Sequence, residues 1–336
     1  VKAMVTYPSY DNNQLSGSVD SDYWEKLIED QSDPLYNRAT QGATAPGSTF
    51  KMCTSMTAMK EGVVSAGETV TDQGKFKKIT PSPKCWIYPQ ATHGSINVSQ
   101  ALADSCNYFF YEMGYRLGKS NNTAYDSAVG LEKIENYATQ LGLNMKSGVE
   151  ITERDPHFST ESAVHSAIGQ GSNAYTPAQL ARYTSTIANG GKNYSLTLLD
   201  KVNSRNGKLV YKNKAKLHNT VEASSTIWNA IHTGMRMVVT QGTVRNYFTD
   251  TKIAIAGKSG TAQENTHRNS HSLFVAYAPY DNPDITMTVV VPNGYTSANA
   301  AEIARDIYKY YFGKASKAEK KATTALLPTG SDGSND

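Results

Sequence analysis

Residues 43–51 read ATAPGSTFK and contain the first of three short polar motifs in this chain. Ser48 lies three positions before Lys51, which is almost one helical turn, and Pro46 and Gly47 precede a predicted helix. A serine hydroxyl is a weak nucleophile that needs a neighbouring base, and a desolvated lysine beside a second cation can serve as that base. The spacing therefore suits nucleophilic catalysis, although such a motif on its own is more often a helix-capping serine with a solvated lysine.

The second motif is S-x-N, formed by Ser105, Cys106 and Asn107 just before another predicted helix. Serine and asparagine are both preferred N-caps, so capping alone would explain the motif. In a catalytic site, Ser105 would relay a proton to the leaving amine and Asn107 would donate a hydrogen bond to the substrate. The motif indicates catalysis only in combination with the other two motifs.

The third motif follows a strand-like run and consists of Lys258, Ser259, Gly260 and Thr261. Because side chains alternate along a strand, Ser259 and Thr261 would present two hydroxyls on one face, suited to gripping a carboxylate. Lys258 would lie on the other face and reach toward Ser105 and Lys51, and its positive charge would hold the Lys51 amine neutral. The glycine would leave room for a ligand or a helix to approach the backbone.

Hydrophobic periodicity predicts a mixture of helices and strands. Helices are predicted at residues 48–63, 107–117, 123–143, 178–188, 224–238 and 298–311. Strands are predicted at residues 1–7, 253–256, 272–278 and 285–291, with a hairpin within residues 196–211. The last strands are adjacent in the chain rather than alternating with helices, which favours an antiparallel sheet with helices packed on it.

Composition excludes several classes of protein. The chain has 336 residues and a formal net charge of +3 without any basic block, so a nucleic-acid-binding protein is not expected. No apolar run approaches the roughly 18 residues of a membrane-spanning helix. Three cysteines cannot build a disulfide framework, and the odd number leaves at least one of them unpaired.

Taken together, S-x-x-K, S-x-N and K-[ST]-G in this order resemble the signature of penicillin-binding proteins and serine β-lactamases. The setting of the first motif is similar to that of class B, monofunctional penicillin-binding proteins of the elongation or sporulation type. The segments that resemble this family are residues 36–41, 43–51, 167–171, 188–191 and 256–263. Correspondence extends from Tyr7 to about Gly313.

The resemblance implies an α/β fold of the penicillin-recognising serine transferase and β-lactamase type. This fold has a five-stranded antiparallel sheet flanked by helices, with an inserted all-helical lobe. We expect one transpeptidase domain at residues 1–313, with the lobe at roughly residues 60–175. Residues 314–336 lack periodicity and are expected to form a flexible tail.

The resemblance also implies a two-step acyl transfer on peptidoglycan stem peptides that end in D-Ala-D-Ala. Ser48 would attack the terminal peptide bond, Lys51 would take its proton, and the backbone N–H groups of Ser48 and Thr261 would hold the oxyanion. Ser105, backed by Lys258, would pass a proton to the departing D-Ala. β-Lactams would acylate Ser48 as substrate mimics.

The resemblance implies an N-terminal membrane helix and a pedestal domain in the full-length protein, and neither is expected within these residues. The resemblance therefore implies an enzyme on the extracytoplasmic face of a bacterial cell membrane. A membrane and a glycosyltransferase are expected as partners only through the longer protein, and no cofactor is expected from the family.

Three other functions share these motifs: a β-lactamase, a D,D-carboxypeptidase and a non-catalytic β-lactam sensor. A class A β-lactamase needs a glutamate in an E-x-x-x-N setting between the second and third motifs. Glu150, Glu153 and Glu161 lie in that interval, but none of them has this setting, so surface carboxylates are the simpler interpretation. The products formed from a D-Ala-D-Ala peptide with an amine acceptor would separate the enzymes.

Two of the three cysteines lie around the second motif, and they leave three interpretations open. Zinc accepts all the ligand types in a group formed by Cys85, His93, Asp104 and Cys106, although this spacing matches no compact zinc finger. A Cys85–Cys106 disulfide and two inert buried thiols are the alternatives. A structural zinc would be a departure from the family and would stiffen the loop that holds the second motif. Cys53 is expected to be a small buried hydrophobic residue.

Overall fold

A computed structural model describes residues 1–119, 124–262 and 269–313. The helices are α1 Ser21–Glu29, α2 Arg38–Gln41, α3 Lys51–Lys60, α4 Val98–Ala103, α5 Asn107–Leu117, α6 Ser127–Gln140, α7 Ala163–Ser166, α8 Pro177–Ala188, α9 Ser225–Thr240 and α10 Ser297–Tyr311. The strands are β1 Val70–Thr71, β2 Ser95–Ile96, β3 Lys192–Tyr194, β4 Lys201–Asn203, β5 Leu209–Lys212, β6 Leu217–Thr220, β7 Ala256–Ala262, β8 His271–Ala278 and β9 Ile285–Val291. The predicted tail lies outside the described residues.

The main sheet is antiparallel, with the strand order β7-β8-β9. Every residue of the central strand β8 is buried, and alternate side chains enter two different cores. Leu273 and Val275 join the larger core formed with α3, α5 and α8, whereas Phe274 and Ala276 join a smaller core beneath α10. A strand buried on both faces explains why residues 271–278 form a nearly continuous apolar run. Helices therefore cover both faces of the sheet.

The number of strands corrects one expectation from the resemblance. Among the described residues the main sheet has three strands rather than five, and residues 1–7, predicted as a strand, adopt no regular structure. Most of this segment is exposed, with Val5 at 80% and Tyr7 at 86% of their full accessible surface. Its β-branched residues have no sheet to pack against, so propensity alone does not make them a strand.

Other predicted elements agree with the structure or shift by a few residues. The helix predicted at residues 107–117 and the strand at residues 285–291 have the predicted bounds, and the hairpin forms from β4 and β5. The strand predicted at residues 253–256 begins only at Ala256 and continues through the third motif to Ala262. Ser48 lies in a 3-10 turn, Gly47–Phe50, that leads directly into α3.

Among the described residues between 60 and 175, the stretch expected to hold an all-helical lobe, there are four helices, α4 to α7, and also the short antiparallel pair of β1 and β2, so this stretch is not all-helical. Gly114 lets α5 cross α7 closely, because a Cβ atom built on it would lie 2.5 Å from the Ala163 carbonyl oxygen. A glycine that weakens a helix locally is thus explained by packing against a neighbouring helix. In the parts of the chain that the structure describes, no helix has the length and hydropathy needed to span a membrane.

Candidate active site

The turn that carries Ser48 is held against the sheet by backbone contacts. Gly47 has a φ of +50°, and a Cβ atom on it would lie 2.6 Å from the Thr261 carbonyl oxygen. Its N–H donates to the Gly169 carbonyl oxygen at 3.0 Å. Gly169 is equally confined, since a Cβ atom there would lie 2.1 Å from the Gly47 carbonyl oxygen. Glycines therefore bring the Ser48 turn against the third motif, as close backbone approach requires.

Lys51 joins the first motif to the second. Its ammonium nitrogen Nζ donates to the Ser105 carbonyl oxygen at 2.8 Å, to Ser105 Oγ at 3.2 Å and to Asn107 Oδ1 at 2.7 Å. The same nitrogen lies 5.3 Å from the centre of the Phe110 ring. Ser105 has a φ of +53°, an unusual backbone conformation for a residue other than glycine. This local strain places both its carbonyl and its hydroxyl oxygen at the lysine.

Two lysines are completely buried in this site. Burial lowers the pKa of Lys51 to about 7, so a large fraction of its amine is neutral at physiological pH. Burial, followed by repulsion from Lys51, lowers the pKa of Lys258 well below its usual range. Burial is the largest cause of the lowered pKa of Lys51, and the repulsion between the two lysines is seen at Lys258, so the role of Lys258 in keeping Lys51 neutral stays a prediction.

The third motif lies on β7, and its residues differ in burial and in their contacts. Lys258 is buried and its Nζ donates to the Ser259 carbonyl oxygen at 3.0 Å. Ser259 is buried and its Oγ lies 2.9 Å from Thr243 Oγ1, whereas Thr261 is exposed. Gly260 has no room for a side chain, because a Cβ atom there would lie 2.8 Å from Thr49 Cγ2. The turn of the first motif therefore packs directly on this strand.

A cluster of ionisable groups lies beside the second motif. One ligand atom from each of Asp72, Cys85, His93 and Cys106 lies within 4.8 Å of the others. Asp104, predicted as the fourth ligand, is not part of the cluster: it ends α4, and its carbonyl oxygen accepts the Trp86 indole N–H. Asp72 takes its place because pairing of β1 with β2 brings it to His93, whose Nδ1 is 2.8 Å from Asp72 Oδ2.

The two thiols of this cluster are not bonded to each other. Cys85 Sγ and Cys106 Sγ are 3.8 Å apart, whereas a disulfide bond measures about 2.05 Å. A hydrogen bond with the Cys106 thiol is the largest influence on Cys85 and lowers the pKa of its thiol. Cys53 is fully buried in the core, as predicted, and its thiol is not part of the cluster.

Comparison with known proteins agrees with this geometry. The family described as penicillin binding protein transpeptidase domain matches residues 1–309. This chain belongs to that family. The resemblance inferred from the three motifs is thereby confirmed, and so is the α/β fold class.

Individual relatives of this transpeptidase domain include a protein named peptidoglycan D,D-transpeptidase MrdA from Haemophilus influenzae. It is 31% identical over 93% of this chain, and the match covers 51% of the relative. The chain thus spans about half the length of that relative. PBP2 of Pseudomonas aeruginosa, solved in complex with WCK 5153, has a TM-score of 0.78 and 26% identity, covering 94% of this chain and 72% of PBP2. A chain from a peptidoglycan synthase complex that couples polymerization and crosslinking also has a TM-score of 0.78 and 26% identity, covering 93% of this chain and 53% of its own.

Sequence reasoning missed three residues of the site. Asp72 is separated from Cys85 by a loop, and Thr243 follows α9 without any motif around it. Gly169 lies in a segment that resembles the family, residues 167–171, but the chain gives no signal that its backbone touches Gly47. Contacts of this kind come from tertiary structure, so only the folded chain could identify them.

The glutamates relevant to a β-lactamase have structural partners. The Glu153 carboxylate accepts the backbone N–H and the hydroxyl of Ser147. The Glu150 carboxylate binds the Thr197 hydroxyl and the Leu198 N–H. Both carboxylates hold loops together. Glu150 and Glu161 are exposed, as expected, whereas Glu153 is buried, so its interpretation as a surface carboxylate is wrong.

Proposed function

We propose that this chain is the serine D,D-transpeptidase domain of a class B penicillin-binding protein and a covalent target of β-lactams. The observation that carries the proposal is the amine of Lys51, buried, lowered in pKa to about 7 and hydrogen-bonded to Ser105 and Asn107. Such an amine is suited to take a proton from Ser48, three residues earlier. The D,D-transpeptidase name of the Haemophilus influenzae relative supports the same assignment.

The first step would acylate Ser48. Ser48 Oγ forms a bond to the carbonyl carbon of the D-Ala-D-Ala peptide bond, and its proton moves to neutral Lys51. The negative charge on the carbonyl oxygen is held by the N–H groups of Ser48 and Thr261, which the contact of Gly47 with Thr261 keeps close together. The carbon–nitrogen bond then breaks, and Ser105 gives a proton to the departing amine of D-Ala. Ser105 regains that proton from Lys51, with which it is hydrogen-bonded.

The second step would transfer the acyl group to a neighbouring stem peptide. The acceptor amine attacks the ester carbon and loses a proton to Lys51, and the bond to Ser48 Oγ breaks. Ser48 Oγ takes that proton back, so the enzyme returns to its starting state. Ser259 and Thr261 would hold the substrate carboxylate during the first step. Asn107 would donate to the substrate through its side-chain amide, since its carbonyl oxygen faces Lys51.

Intact-mass spectrometry after exposure to a penicillin tests the site. The parent protein should gain the mass of one penicillin, and Ser48→Ala should gain none. An adduct on the variant, or none on the parent, would contradict the assignment of Ser48.

Product analysis distinguishes the transpeptidase from its rivals. A D-Ala-D-Ala peptide supplied with an amine acceptor should give the crosslinked amide and free D-Ala. Hydrolysis alone would indicate a carboxypeptidase, and rapid turnover of the penicillin would indicate a β-lactamase. Stable acylation by penicillin with neither product from the peptide would indicate a sensor.

We further propose that the cluster of Asp72, Cys85, His93 and Cys106 binds a structural zinc ion. In a tetrahedral zinc site two sulfur ligands lie about 3.8 Å apart, and a sulfur and a nitrogen ligand about 3.5 Å apart. The Cys85–Cys106 distance of 3.8 Å and the distance of 3.5 Å from Cys85 Sγ to His93 Nδ1 agree with these values. The distance of 2.8 Å from His93 Nδ1 to Asp72 Oδ2 is that of a hydrogen bond, shorter than the roughly 3.3 Å between a nitrogen and an oxygen ligand, so these two groups would have to separate to bind the ion. The ion would have a structural role: it would fix Cys106 between the two polar residues of the second motif.

Elemental analysis with two matched variants tests the zinc site. The parent and Asp104→Asn should each hold one zinc per chain, whereas Asp72→Asn should lose most of it. A parent without stoichiometric zinc, whose Cys85 and Cys106 thiols react fully with a thiol reagent, would end the proposal. If Asp104→Asn lost zinc and Asp72→Asn kept it, then Asp104 would be the fourth ligand, as predicted from the sequence.

The relatives also suggest a setting for the enzyme. We propose that residues 1–313 form one transpeptidase domain acting on the extracytoplasmic face of a bacterial cell membrane, within a longer anchored protein. The relative in a peptidoglycan synthase complex supports a polymerising enzyme as its partner. Purification of the longer protein would test this. We expect a polymerising enzyme to copurify with it, and purification without such an enzyme would contradict the proposal.

A further inference from the structure

The short segment that follows α9, residues 241–243, contacts the end of α4, just before the second motif, and the strand of the third motif. The N–H of Thr243 donates to the Ala103 carbonyl oxygen at 3.2 Å, two residues before Ser105. The hydroxyl of Thr243 lies 2.9 Å from Ser259 Oγ. Thr243 therefore connects the loop of the proton-relaying serine to the strand of the third motif.

This segment is fixed in place by its neighbours. A Cβ atom on Gly242 would lie 2.2 Å from the Ala103 carbonyl oxygen, so only glycine fits there. On the other side, Val244 is buried in the core beneath α10. Thr243, held between the two, can orient a partner hydroxyl because its own backbone has little freedom.

We propose that Thr243 is a positioning residue that aims the hydroxyl of Ser259 at the substrate carboxylate. The inference rests on the proposed function, in which Ser259 and Thr261 hold that group. A carboxylate only accepts hydrogen bonds, so Ser259 must donate its single proton to it. Ser259 Oγ is then left as an acceptor, and Thr243 donates to it. The two hydroxyls form a short chain that ends on the carboxylate, and each bond strengthens the next.

Because Ser259 is buried, its hydroxyl depends on Thr243 for the direction of its hydrogen bond. Ser259 is 4% exposed, so water has little access to reorient its hydroxyl. Without Thr243, Ser259 Oγ would lose its donor and its proton would no longer be directed. The resulting loss of acylation rate should depend on the negative charge of the ligand, because a hydrogen bond to a carboxylate is stronger than one to a neutral ester.

Acylation kinetics with a penicillin and its methyl ester test the inference. Thr243→Val should lower the second-order acylation rate with the penicillin about tenfold, the scale of one hydrogen bond to a charged group. Its rate with the ester should change by less than about twofold, and Thr243→Ser should restore the parent rate with the penicillin. Thr240→Val, the same substitution at the end of α9, should leave both rates unchanged.

A double variant distinguishes positioning from direct contact. If Thr243 acts through Ser259, then Thr243→Val should add nothing to the loss caused by Ser259→Ala. Full additivity would overturn the inference in favour of direct contact with the ligand. Equal losses with the penicillin and the ester would overturn it in favour of a general structural role, which a lowered melting temperature would accompany.

The same measurements separate this inference from the proposed function. A parent protein that penicillin does not acylate would overturn the proposed function, and the inference with it. A parent that is acylated normally, with Thr243→Val equally fast, would overturn the inference alone.

Discussion

Lys51 has no exposed surface, yet its amine has three hydrogen-bond acceptors. Burial removes water, which would otherwise stabilise the ammonium form, and this loss outweighs the stabilisation from its partners. The residue is therefore close to its point of half-protonation at neutral pH. A base needs this balance, because it must be neutral before the reaction and basic enough to accept a proton.

The acylation rate should therefore depend on pH through Lys51. Only the neutral amine can accept the proton of Ser48, and the pKa of Lys51 is about 7. The second-order rate with a penicillin should rise about tenfold per pH unit below 7 and level off above it. Stopped-flow measurement from pH 5.5 to 8.5 would show this, whereas a flat profile would contradict it.

Gly169 offers a test of the backbone contact beside Ser48. Gly169 and Gly190 both have a left-handed backbone, at φ +73° and +71°, but only Gly169 has close neighbours. Gly190→Ala should cost about 1–2 kcal/mol of unfolding free energy and leave acylation unchanged. Gly169→Ala should cost more and slow acylation, because Gly47 must shift and carry Ser48 with it. Urea denaturation would measure the free energy of unfolding, and penicillin kinetics the acylation rate. Equal values of both quantities for the two variants would contradict the expectation.

At the scale of residues, the sequence predicts the site residues that belong to one motif and misses those that only tertiary contacts bring to the site. Lys51 was found because its residue type and its spacing from Ser48 carry a chemical meaning. Asp72 was missed because it reaches the cluster through strand pairing, and Asp104 was chosen only because it is near Cys106 in the chain.

At the scale of elements, close packing overrides local preference. Gly114 lies in the middle of α5, where alanine would be the better helix former. The residue is nevertheless suited to its place, because α7 occupies the space that a side chain would need. Sequence periodicity locates α5 correctly and cannot show why a glycine interrupts it.

The substitution Gly114→Ala should therefore destabilise the protein despite improving helix propensity. The added methyl group would meet the Ala163 carbonyl oxygen at 2.5 Å and Val164 Cα at 2.9 Å. Overpacking of this kind costs about 1–3 kcal/mol, more than the roughly 1 kcal/mol gained from propensity. Gly67→Ala, which meets no atom within 4 Å, should change the free energy of unfolding by less than about 0.5 kcal/mol. Stabilisation by Gly114→Ala in urea denaturation would show that the two helices can move apart.

Elements without a partner were the least predictable. Residues 1–7 have strand-like composition but remain largely exposed, so nothing in the described structure fixes them as a strand. The strands β8 and β9, in contrast, were predicted well because the sheet and its covering helices reinforce their propensity.

In the whole molecule, β8 contributes to both hydrophobic cores. The core formed with α3, α5 and α8 and the core beneath α10 share this strand, so neither can lose its structure while the other stays intact. The candidate site lies on the first of these cores and is completed by β7, the neighbour of β8.

The protein should therefore unfold in a single transition. Leu273→Ala and Phe274→Ala each remove a fully buried side chain, on opposite faces of β8. Both should lower the free energy of unfolding by about 2–5 kcal/mol and shift the same midpoint. Circular dichroism and tryptophan fluorescence should give coincident curves for both variants. Separate transitions, each moved by only one variant, would show two independent units.

The contacts of Gly47 with Gly169 and Thr261 have a consequence for how this domain can diverge. They join backbone to backbone, so the spacing between the nucleophile and the edge strand does not depend on any side chain there. Substitutions at those glycines damage the fold itself, and substitutions elsewhere leave the spacing intact. Substitutions that alter the candidate site without damaging the fold must therefore fall on side chains around this backbone frame, such as Thr243, which is exposed and lies 2.9 Å from Ser259 Oγ. Variation of the site is expected to accumulate in such side chains, while the backbone frame that joins Ser48 to the edge strand stays the same.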